Sequence, residues 1–366
     1  MLIVEPIRNW YGKYERPISS LSLIAGFAFD AFTLRRVDTL WENIWILGHL
    51  IIVGTFIVLI HAHESIEGDE KNPSKAHFWY VNILQFFFGG ILSTYLVFYF
   101  RSADIFSTWP FILVLALAFI ANESLKRHYV RFSFQISLFF LSVYSFAIFL
   151  VPVLMHQIGQ KIFLLSGLAS LIFITIFTVI LLYVIKDKFN KDENESKKMI
   201  ALLIVGIFGL VNLLYFTNLI PPIPLSLKDA GIYHSIQKNA DGNYDVTYED
   251  HDWREYFNLY PDFNETPGSP VYAFSAIFSP KYLNITVVHE WQFYDEAKGQ
   301  WQTGSIVNLP VIGGRDGGFR TYSTRYNLQA GKWRVLVKTQ DGQTIGSIRF
   351  KIIPTDTEPV VKDEIK

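Results

Sequence analysis

A bundle of about seven membrane-crossing α-helices followed by an all-β sandwich is the fold the sequence predicts. Three observations carry it. Apolar residues dominate up to about residue 220 and thin out afterwards. From about Ala240 the hydrophobic period changes from helical to two. Between the two regions stands "IPPIPLSLKDAGIYHSIQ", whose clustered prolines stop a helix.

Bulk composition agrees. The chain has 366 residues, of which 51% are hydrophobic and 18% charged, against roughly a quarter charged in an ordinary soluble domain. Mean hydropathy is +0.25. The net charge of −1 creates no global field that would draw nucleic acid. Cysteine is absent, which excludes disulfides, thiolate metal sites and cysteine nucleophiles together.

A helix needs about 20 apolar residues to cross the hydrocarbon. Seven stretches qualify: Ile18–Leu34, Trp41–Ile60, Phe78–Phe100, Phe106–Asn122, Phe132–Met155, Ile162–Ile185 and Met199–Ile220. Rings such as Trp41, Trp45, Trp79 and Trp109 edge several of them, as amphipathic aromatics do at a lipid boundary. The first stretch is short and carries Asp30; no small-residue cleavage site follows it closely, so it is not read as a removed signal peptide.

Orientation follows from the lysines and arginines between spans. Segments 1–17, 61–77, 123–131 and 186–198 hold 13 of them, and the intervening segments hold 4. The richer set is expected in the cytoplasm, with the N-terminus inside and everything after Ile220 outside. Without the first crossing the bias falls to 10 against 7, which favours seven spans. The expected domains are a transmembrane part over 1–222, a linker over 223–240, a β domain over 241–356 and a disordered tail over 357–366.

Ionisable groups inside spans mark ion and proton pathways. Here the main ones are Asp30 and His49, with Glu123 and His156 near span ends and the amides Asn82, Gln85, Gln135 and Asn212 beside them. Asp30 precedes Arg35 and Arg36 closely. It reads as a gating or proton-carrying carboxylate, or as a carboxylate paired with a neighbouring helix. "HAHE", His61 to Glu64, has ligand-type side chains, with His77 at the end of the same loop. Two histidines and one glutamate in a single loop are a weak signal for a metal centre, so no metal or cofactor is expected.

In the β region, Leu283, Ile285, Val287, His289, Trp291 and Phe293 alternate with more polar neighbours, as do Trp333, Val335 and Val337. Further strands are expected at Tyr244–Tyr248, Val271–Phe278, Trp301–Asn308 and Gly318–Ser323. Asp341-Gly342 reads as a tight hairpin turn. The apolar parity slips between Ile345 and Ile348, which predicts a bulge near Gly346. Some seven short strands without a long helix suggest a sandwich of immunoglobulin-like architecture.

"GGRDGGFRTYSTR", residues 313–325, is the stretch most suggestive of a site. A phosphate-cradling glycine loop must open a helix; this one opens a strand-like run. Arg315, Arg320 and Arg325 bring charge to one end of the sandwich, and Tyr322 and Trp301 add stacking surface. They read as a recognition edge for a glycan or a protein partner, or as a solvated hairpin. Alternation puts His289 beside Trp291 and Trp333 on the core face, where a hydrogen-bonded core histidine outweighs a catalytic one.

The segments "HEWQFYD" and "GQWQTGSIVNLPVIGGRDGGFRTYSTRYNLQAGKWRVLVKTQDGQTIGSIRF" resemble a bacterial domain of unknown function, the one numbered twenty-nine fourteen. Its His-x-Trp strand matches His289 and Trp291. Its arginine–serine segment matches Arg320, Thr321 and Ser323. Its Gly-x-Trp-Arg-Val strand matches Gly331, Trp333, Arg334 and Val335, and its hairpin glycine matches Gly342. Arg325 stands where the family has a lysine. "GFAFDAFTLRRVD" and "IPPIPLSLKDAGIYHS" are similar to the membrane-attached branch. The resemblance implies an inner-membrane architecture and supplies no activity. The leading expectation is therefore a non-enzymatic protein, held in the lipid bilayer, whose outer domain binds envelope glycan or an envelope protein. The alternatives are a seven-helix sensor or transport component gated by that domain, and an envelope enzyme using His289.

Overall fold

The computed structural model describes residues 24–366 apart from 35–37, 68–74, 103–104, 125–131, 185–192, 251–257 and 316. The start of the first expected span and most of the loops that set the orientation lie outside these residues. Two compact units divide the chain, one helical up to Leu219 and one all-β from Ile220 onward, with 102–108 grouped with the second.

The helical unit contains α1 (Ile24–Thr33), α2 (Leu40–Glu67), α3 (Lys75–Ser102), α4 (Ile105–Ser124), α5 (Phe132–Met155), α6 (Gln160–Val184) and α7 (Glu193–Phe216). Five of them carry stretches long and apolar enough to cross a membrane: Leu40–His63, Trp79–Ser102, Phe132–Met155, Gln160–Val184 and Lys197–Phe216. The other two, Ile24–Thr33 and Thr108–Asn122, are apolar but shorter within the described residues. Five spans are thus supported where seven are expected from hydropathy.

Helix α5 is the hub. It packs on α2, α6 and α7, and Gln135, Ser142, Tyr144 and Ser145 along it are buried. Tyr95 and Tyr99 on α3 donate their hydroxyls to the carbonyls of Ser142 and Ser145 at 2.8 and 3.1 Å. Phe163 on α6 stacks on Tyr215 on α7 at 3.6 Å. The opposite faces of α6 and α7 expose Leu168, Ile172, Ile176, Leu202 and Val205, and a helix that is apolar all round suits a lipid solvent. At its C-terminal end α7 stops with Asn218 at φ 58°, the left-handed cap conformation that asparagine tolerates.

Among the described residues the β unit has eleven strands: β1 (Ser226–Tyr233), β2 (Ser235–Lys238), β3 (Tyr244–Glu249), β4 (Asp262–Glu265), β5 (Pro270–Phe278), β6 (Ile285–Asp295), β7 (Gln300–Val311), β8 (Phe319–Tyr326), β9 (Gly331–Thr339), β10 (Thr344–Pro354) and β11 (Val361–Ile365). They form three sheets, ordered β1-β5-β8, β4-β10-β9-β6-β7 and β11-β3-β2. All pairs are antiparallel except β4 with β10.

Strand β5 shows how the sheets layer. Val271 and Ala273 join Trp291, Trp333, Val335, Ile348 and Phe350 of the five-stranded sheet in one core. Phe274 and Ala276, on the opposite face, join Tyr233, Ile236 and Val246 in a second. The β1-β5-β8 sheet is therefore covered on both sides, and a third layer stands where a two-sheet immunoglobulin-like sandwich has none. The stretch expected as linker carries β1 and β2. The stretch expected as a disordered tail carries β11, which pairs with β3 from Val361↔Glu249 to Ile365↔Asp245.

The hairpin at Asp341-Gly342 and the bulge are where the sequence puts them. Gly342 has φ 86° and donates its amide to Thr339 at 3.0 Å. The β9–β10 register shifts between Thr344 and Gly346. A Cβ on Gly346 would lie 2.3 Å from Leu227 Cδ2 of β1, so the leucine would have to shift to admit one.

Candidate functional site

The glycine-rich connection between β7 and β8 is shaped by close backbone approach. A Cβ on Gly313 would sit 1.9 Å from the carbonyl oxygen of Pro280, and one on Gly318 would sit 2.8 Å from the Ala276 backbone. Gly314 and Gly318 have φ of 99° and 84°, which only glycine adopts freely. The Gly314 amide donates to Ser279 O at 2.9 Å and the Gly318 amide to Arg315 O at 3.1 Å. These amides are spent within the protein, and the loop opens a strand. Asp316 lies outside the described residues.

Strand period two then sorts the arginines. Thr321 and Ser323 are buried on the face toward β6, and Arg320 and Tyr322 lie on the other. Arg325 has the parity of Ser323; its Nη1 donates to Gly304 O on β7 at 3.2 Å. Arg315 is exposed in the loop. The structure therefore brings Arg320 and Tyr322 together and leaves Arg315 and Arg325 elsewhere, because an odd offset along a strand reverses the side.

Around Tyr322 the surface is richer than the sequence reading foresaw. Its ring meets Tyr244 at 6.0 Å and Tyr272 at 5.9 Å. Tyr326 is 57% exposed and Tyr322 37%. Burial pushes the Tyr272 hydroxyl up, helped by the nearby hydroxyls of Tyr326 and Tyr322. Arg320 borders the group and donates Nη1 to Asn243 Oδ1 at 2.7 Å. Period-two reasoning could place Tyr322, Thr324 and Tyr326 on one face of β8. It could not show that β3 and β5 bring Tyr244 and Tyr272 to the same spot.

His289 sits between the five-stranded sheet and the β1-β5-β8 sheet with no exposed surface. Its Nε2 lies 2.8 Å from Ser275 Oγ on β5, and its Nδ1 lies 2.9 Å from Ser323 Oγ on β8. Trp291 Nε1 donates to the same Ser323 hydroxyl at 2.9 Å. Desolvation lowers the imidazole pKa from 6.5 to about 4. Both ring nitrogens are occupied in a dry environment, as a core histidine requires. A second tie escaped the sequence reading. Glu249 on β3 accepts from His234 at 2.8 Å and from the Asn264 amide on β4 at 2.7 Å, linking the small sheet to the large one. Burial pushes that carboxyl up, but the hydrogen bonds from His234 and Asn264 outweigh it and hold it below its ordinary value.

On the face of the five-stranded sheet opposite the Trp291–Trp333 core, Trp301 of β7 stacks at 20° on Tyr260, 6.2 Å away, and meets Tyr294 of β6 at 5.2 Å. The Arg334 guanidinium lies 4.2 Å over the Trp301 ring and its Nε donates to Gln292 Oε1 at 2.7 Å. Lys332 stands 5.8 Å from the rings of both Tyr260 and Tyr294. Burial pushes the Glu290 carboxyl up, yet hydrogen bonds from Lys338, Thr303 and Gln292 outweigh this and hold it below its ordinary value.

In the helical unit Asp30 on α1 faces Ser93 on α3 and lies within electrostatic reach of His49 on α2. His49 Nδ1 lies 2.9 Å from Trp45 O one turn back, and its ring packs on Phe87 at 5.0 Å. Arg101 on α3 donates to the carbonyls of Ala31 and Leu34 at the end of α1. The amides mostly join helices: Gln85 and Asn122 exchange side-chain-to-carbonyl bonds at 3.1 and 3.2 Å, and Asn212 donates to Tyr144 at 3.1 Å. Of "HAHE", His61 lies 3.0 Å from Gln135 Oε1 and His63 packs on Tyr80. Among the described residues no three ligating side chains converge. A cleft of about 490 Å³ between α2, α5 and α6 is lined by Leu47, Leu50, Val143, Phe146, Phe173 and Phe177; the hydroxyls of Thr55 and Ser170 on it donate to their own helices.

Five apolar helices of membrane-crossing length followed by a β-rich unit define a multi-pass membrane protein with a C-terminal β domain. Residues 284–352, from β6 into β10, match the family described as Protein of unknown function (DUF2914). No curated protein matches the chain. Among solved structures, a β-glucosidase from Listeria innocua in complex with isofagomine aligns at 8% identity and a TM-score of 0.20, over 37% of this chain and 16% of its own. The Pseudomonas fluorescens alkylpurine DNA glycosylase AlkC, bound to DNA containing an abasic site analog, aligns at 9% identity and a TM-score of 0.22, over 87% of this chain and 99% of its own. At such TM-scores neither likeness carries a fold or a function.

Proposed function

We propose that this is a non-enzymatic protein of the bacterial inner membrane whose helices hold the β domain on the extracytoplasmic side, where it recognises an envelope glycan or envelope protein. The observation that carries the reading is the tyrosine group of Tyr244, Tyr272, Tyr322 and Tyr326, bordered by Arg320 and partly open to solvent. Rigid amphipathic rings beside a planar cation suit recognition, since they bury area at low entropic cost. The helical amides support an anchor because they are spent on holding helices together. The absence of any exposed surface on His289 counts against an enzyme that uses it.

The test is a photo-crosslinking amino acid placed in the full chain at Tyr322 or Tyr326 and, as a control, at Tyr282, which is 78% exposed. A discrete adduct from the first two positions, lost with Arg320→Ala, is expected. Equal adducts from all three positions, or none, would sink the proposal. The convergence of Asp30, His49 and Ser93 favours a second reading, a sensor or transport component gated by the β domain. On that reading Asp30→Asn abolishes function while membrane levels stay normal; an anchor tolerates the change.

A further inference from the structure

Strand register decides which loops meet at the end of the β unit where β1 begins. Ser226 lies opposite Phe278, Ile277 opposite Phe319, and Ile285 opposite Val311. The β5–β6 loop (279–284) and the β7–β8 loop (312–318) therefore share that end. It is also the tethered end. Ser226 follows the end of α7 at Phe216 by a stretch that spans at most about 36 Å fully extended. Tight turns shorten it, with the Ile223 amide on Pro221 O and the Leu225 amide on Pro222 O. The two loops are locked together: the Gly314 amide donates to Ser279 O at 2.9 Å, and the Ser279 hydroxyl donates to Leu283 O at 2.8 Å. On this fixed tip Tyr282 is 78% exposed and Ile312 60%. Tyr282 holds φ 66°, a left-handed conformation that glycine or asparagine enters with less strain than an aromatic residue. Lys228, Lys281 and Arg315 are exposed at the same end, the first 5.3 Å over the Phe278 ring. Among the described residues the acids beside them are Asp229, paired with Lys366 at 3.0 Å, and Asp341. The latter stands in the β9–β10 hairpin, which reaches this end because Thr339 lies opposite Val287.

We propose that this end rests in the headgroup layer of the membrane that anchors the chain. Tyr282 and Ile312 enter the layer, and Lys228, Lys281 and Arg315 meet the phosphates of anionic phospholipids. An amphipathic ring is at home at the boundary between water and hydrocarbon. Each lysine or arginine beside an anionic surface strengthens the attachment about fivefold. The short connection to α7 keeps a bilayer surface within reach of this end on whichever side the domain stands. The inference therefore needs neither the proposed orientation nor the tyrosine group. A soluble protein partner would cover the same side chains, but it would leave their place at the tethered end unexplained.

The chain contains no cysteine, so Tyr282→Cys, Ile312→Cys and, as a control, Glu296→Cys each create a single labelling site. Glu296 is exposed in the β6–β7 hairpin, at the other end of those strands. The full chain, carrying a polarity-sensitive fluorophore, is placed in nanodiscs of phosphatidylcholine with and without phosphatidylglycerol. A lipid with a nitroxide on its headgroup serves as quencher. Labels at Tyr282 and Ile312 are expected to be quenched and the label at Glu296 is not; Ile312 supplies the reading if the Tyr282 variant fails to fold. Quenching rises with phosphatidylglycerol and falls as salt rises. Lys281→Gln with Arg315→Gln lowers the ratio of quenched to unquenched label about fivefold or more. Tyr326→Ala, at the far end of β8, leaves it unchanged, so this contact and the tyrosine surface stand or fall separately. Unquenched labels at Tyr282 and Ile312, or equal quenching at all three sites, overturn the proposal. So does a label at Tyr282 that is shielded from water but not quenched by lipid, the signature of a protein partner, or quenching indifferent to phosphatidylglycerol and to the paired substitution.

Discussion

Lowering the pH should weaken the β domain through the burial of His289. The imidazole is fully buried between Ser275 and Ser323, and desolvation holds its pKa near 4 against an ordinary 6.5. The native state therefore resists protonation that the unfolded chain accepts. Above pH 6.5 neither state is charged and nothing is lost. As pH falls below 6.5 the unfolded state gains protons first, so stability declines, and the decline ends once the native imidazole also titrates near pH 4. The whole interval amounts to about 3 kcal/mol at roughly 1.4 kcal/mol per tenfold, and about 2 kcal/mol of it is already lost at pH 5. That is a large part of an ordinary domain's stability of about 5–15 kcal/mol.

The assay is denaturant unfolding of the full chain in detergent at pH 7.5 and 5.0, followed by tryptophan fluorescence. His289→Gln is the comparison. It keeps hydrogen-bonding capacity toward the two serines and cannot titrate. Other groups also respond to pH, among them Glu249 and Glu290, so the informative quantity is the difference between the two proteins' pH responses. The glutamine variant is expected to be less stable at pH 7.5 and to lose about 2 kcal/mol less on going to pH 5.0. Identical pH responses would refute the dry, neutral histidine, as would a directly measured imidazole pKa near 6.5.

Other expected outcomes follow from the same packing. Trp333→Ala empties the core beside Trp291 and Phe350 and should cost about 3–5 kcal/mol in the same unfolding experiment; an unmoved transition would contradict the core assignment. Gly313→Ala drives a Cβ into Pro280 O, whereas a Cβ on Gly317 meets nothing within 4 Å. The first should destabilise the domain by more than about 2 kcal/mol and the second by less than about 0.5 kcal/mol, and equal effects would show that the loop is not held against residues 279–283. Ser323→Ala leaves His289 Nδ1 and Trp291 Nε1 without their partner, at a cost of about 1–3 kcal/mol for each orphaned group. Reporter fusions after Asn190 should be active only as cytoplasmic reporters and fusions after Lys366 only as exported ones; both on one side would exclude the seven-span orientation.

What the sequence made legible was whatever a single strand or helix shows by itself. Five long apolar helices, the alternation of β6 and β9, the hairpin at Gly342 and the slip near Gly346 all leave a local periodic trace. The glycines of 313–318 could be assigned to a turn because a strand, not a helix, follows them. Proximity in sequence groups Arg325 with Arg320. An offset of five along a strand puts it on the other side, so the alternation that correctly paired Arg320 with Tyr322 also argued against that grouping.

The third sheet was illegible for a physical reason. Strands β2 and β11 are four and five residues long, and β11 is exposed at every position, so neither shows an apolar face. They exist because β3 offers both its edges, with register fixed at Ile236↔Val246 and Glu364↔Val246. Only β5 gave a warning. "VYAFSAIF" is apolar or small at nearly every position, and a strand of that kind is buried on both faces. Read as such, it requires a layer on its even side, and β3 with the short strands on either side of it supplies that layer. That layer brings Tyr244 against Tyr322 and Asn243 against Arg320. The part of the fold hardest to see in the sequence is therefore the part that builds the candidate recognition surface.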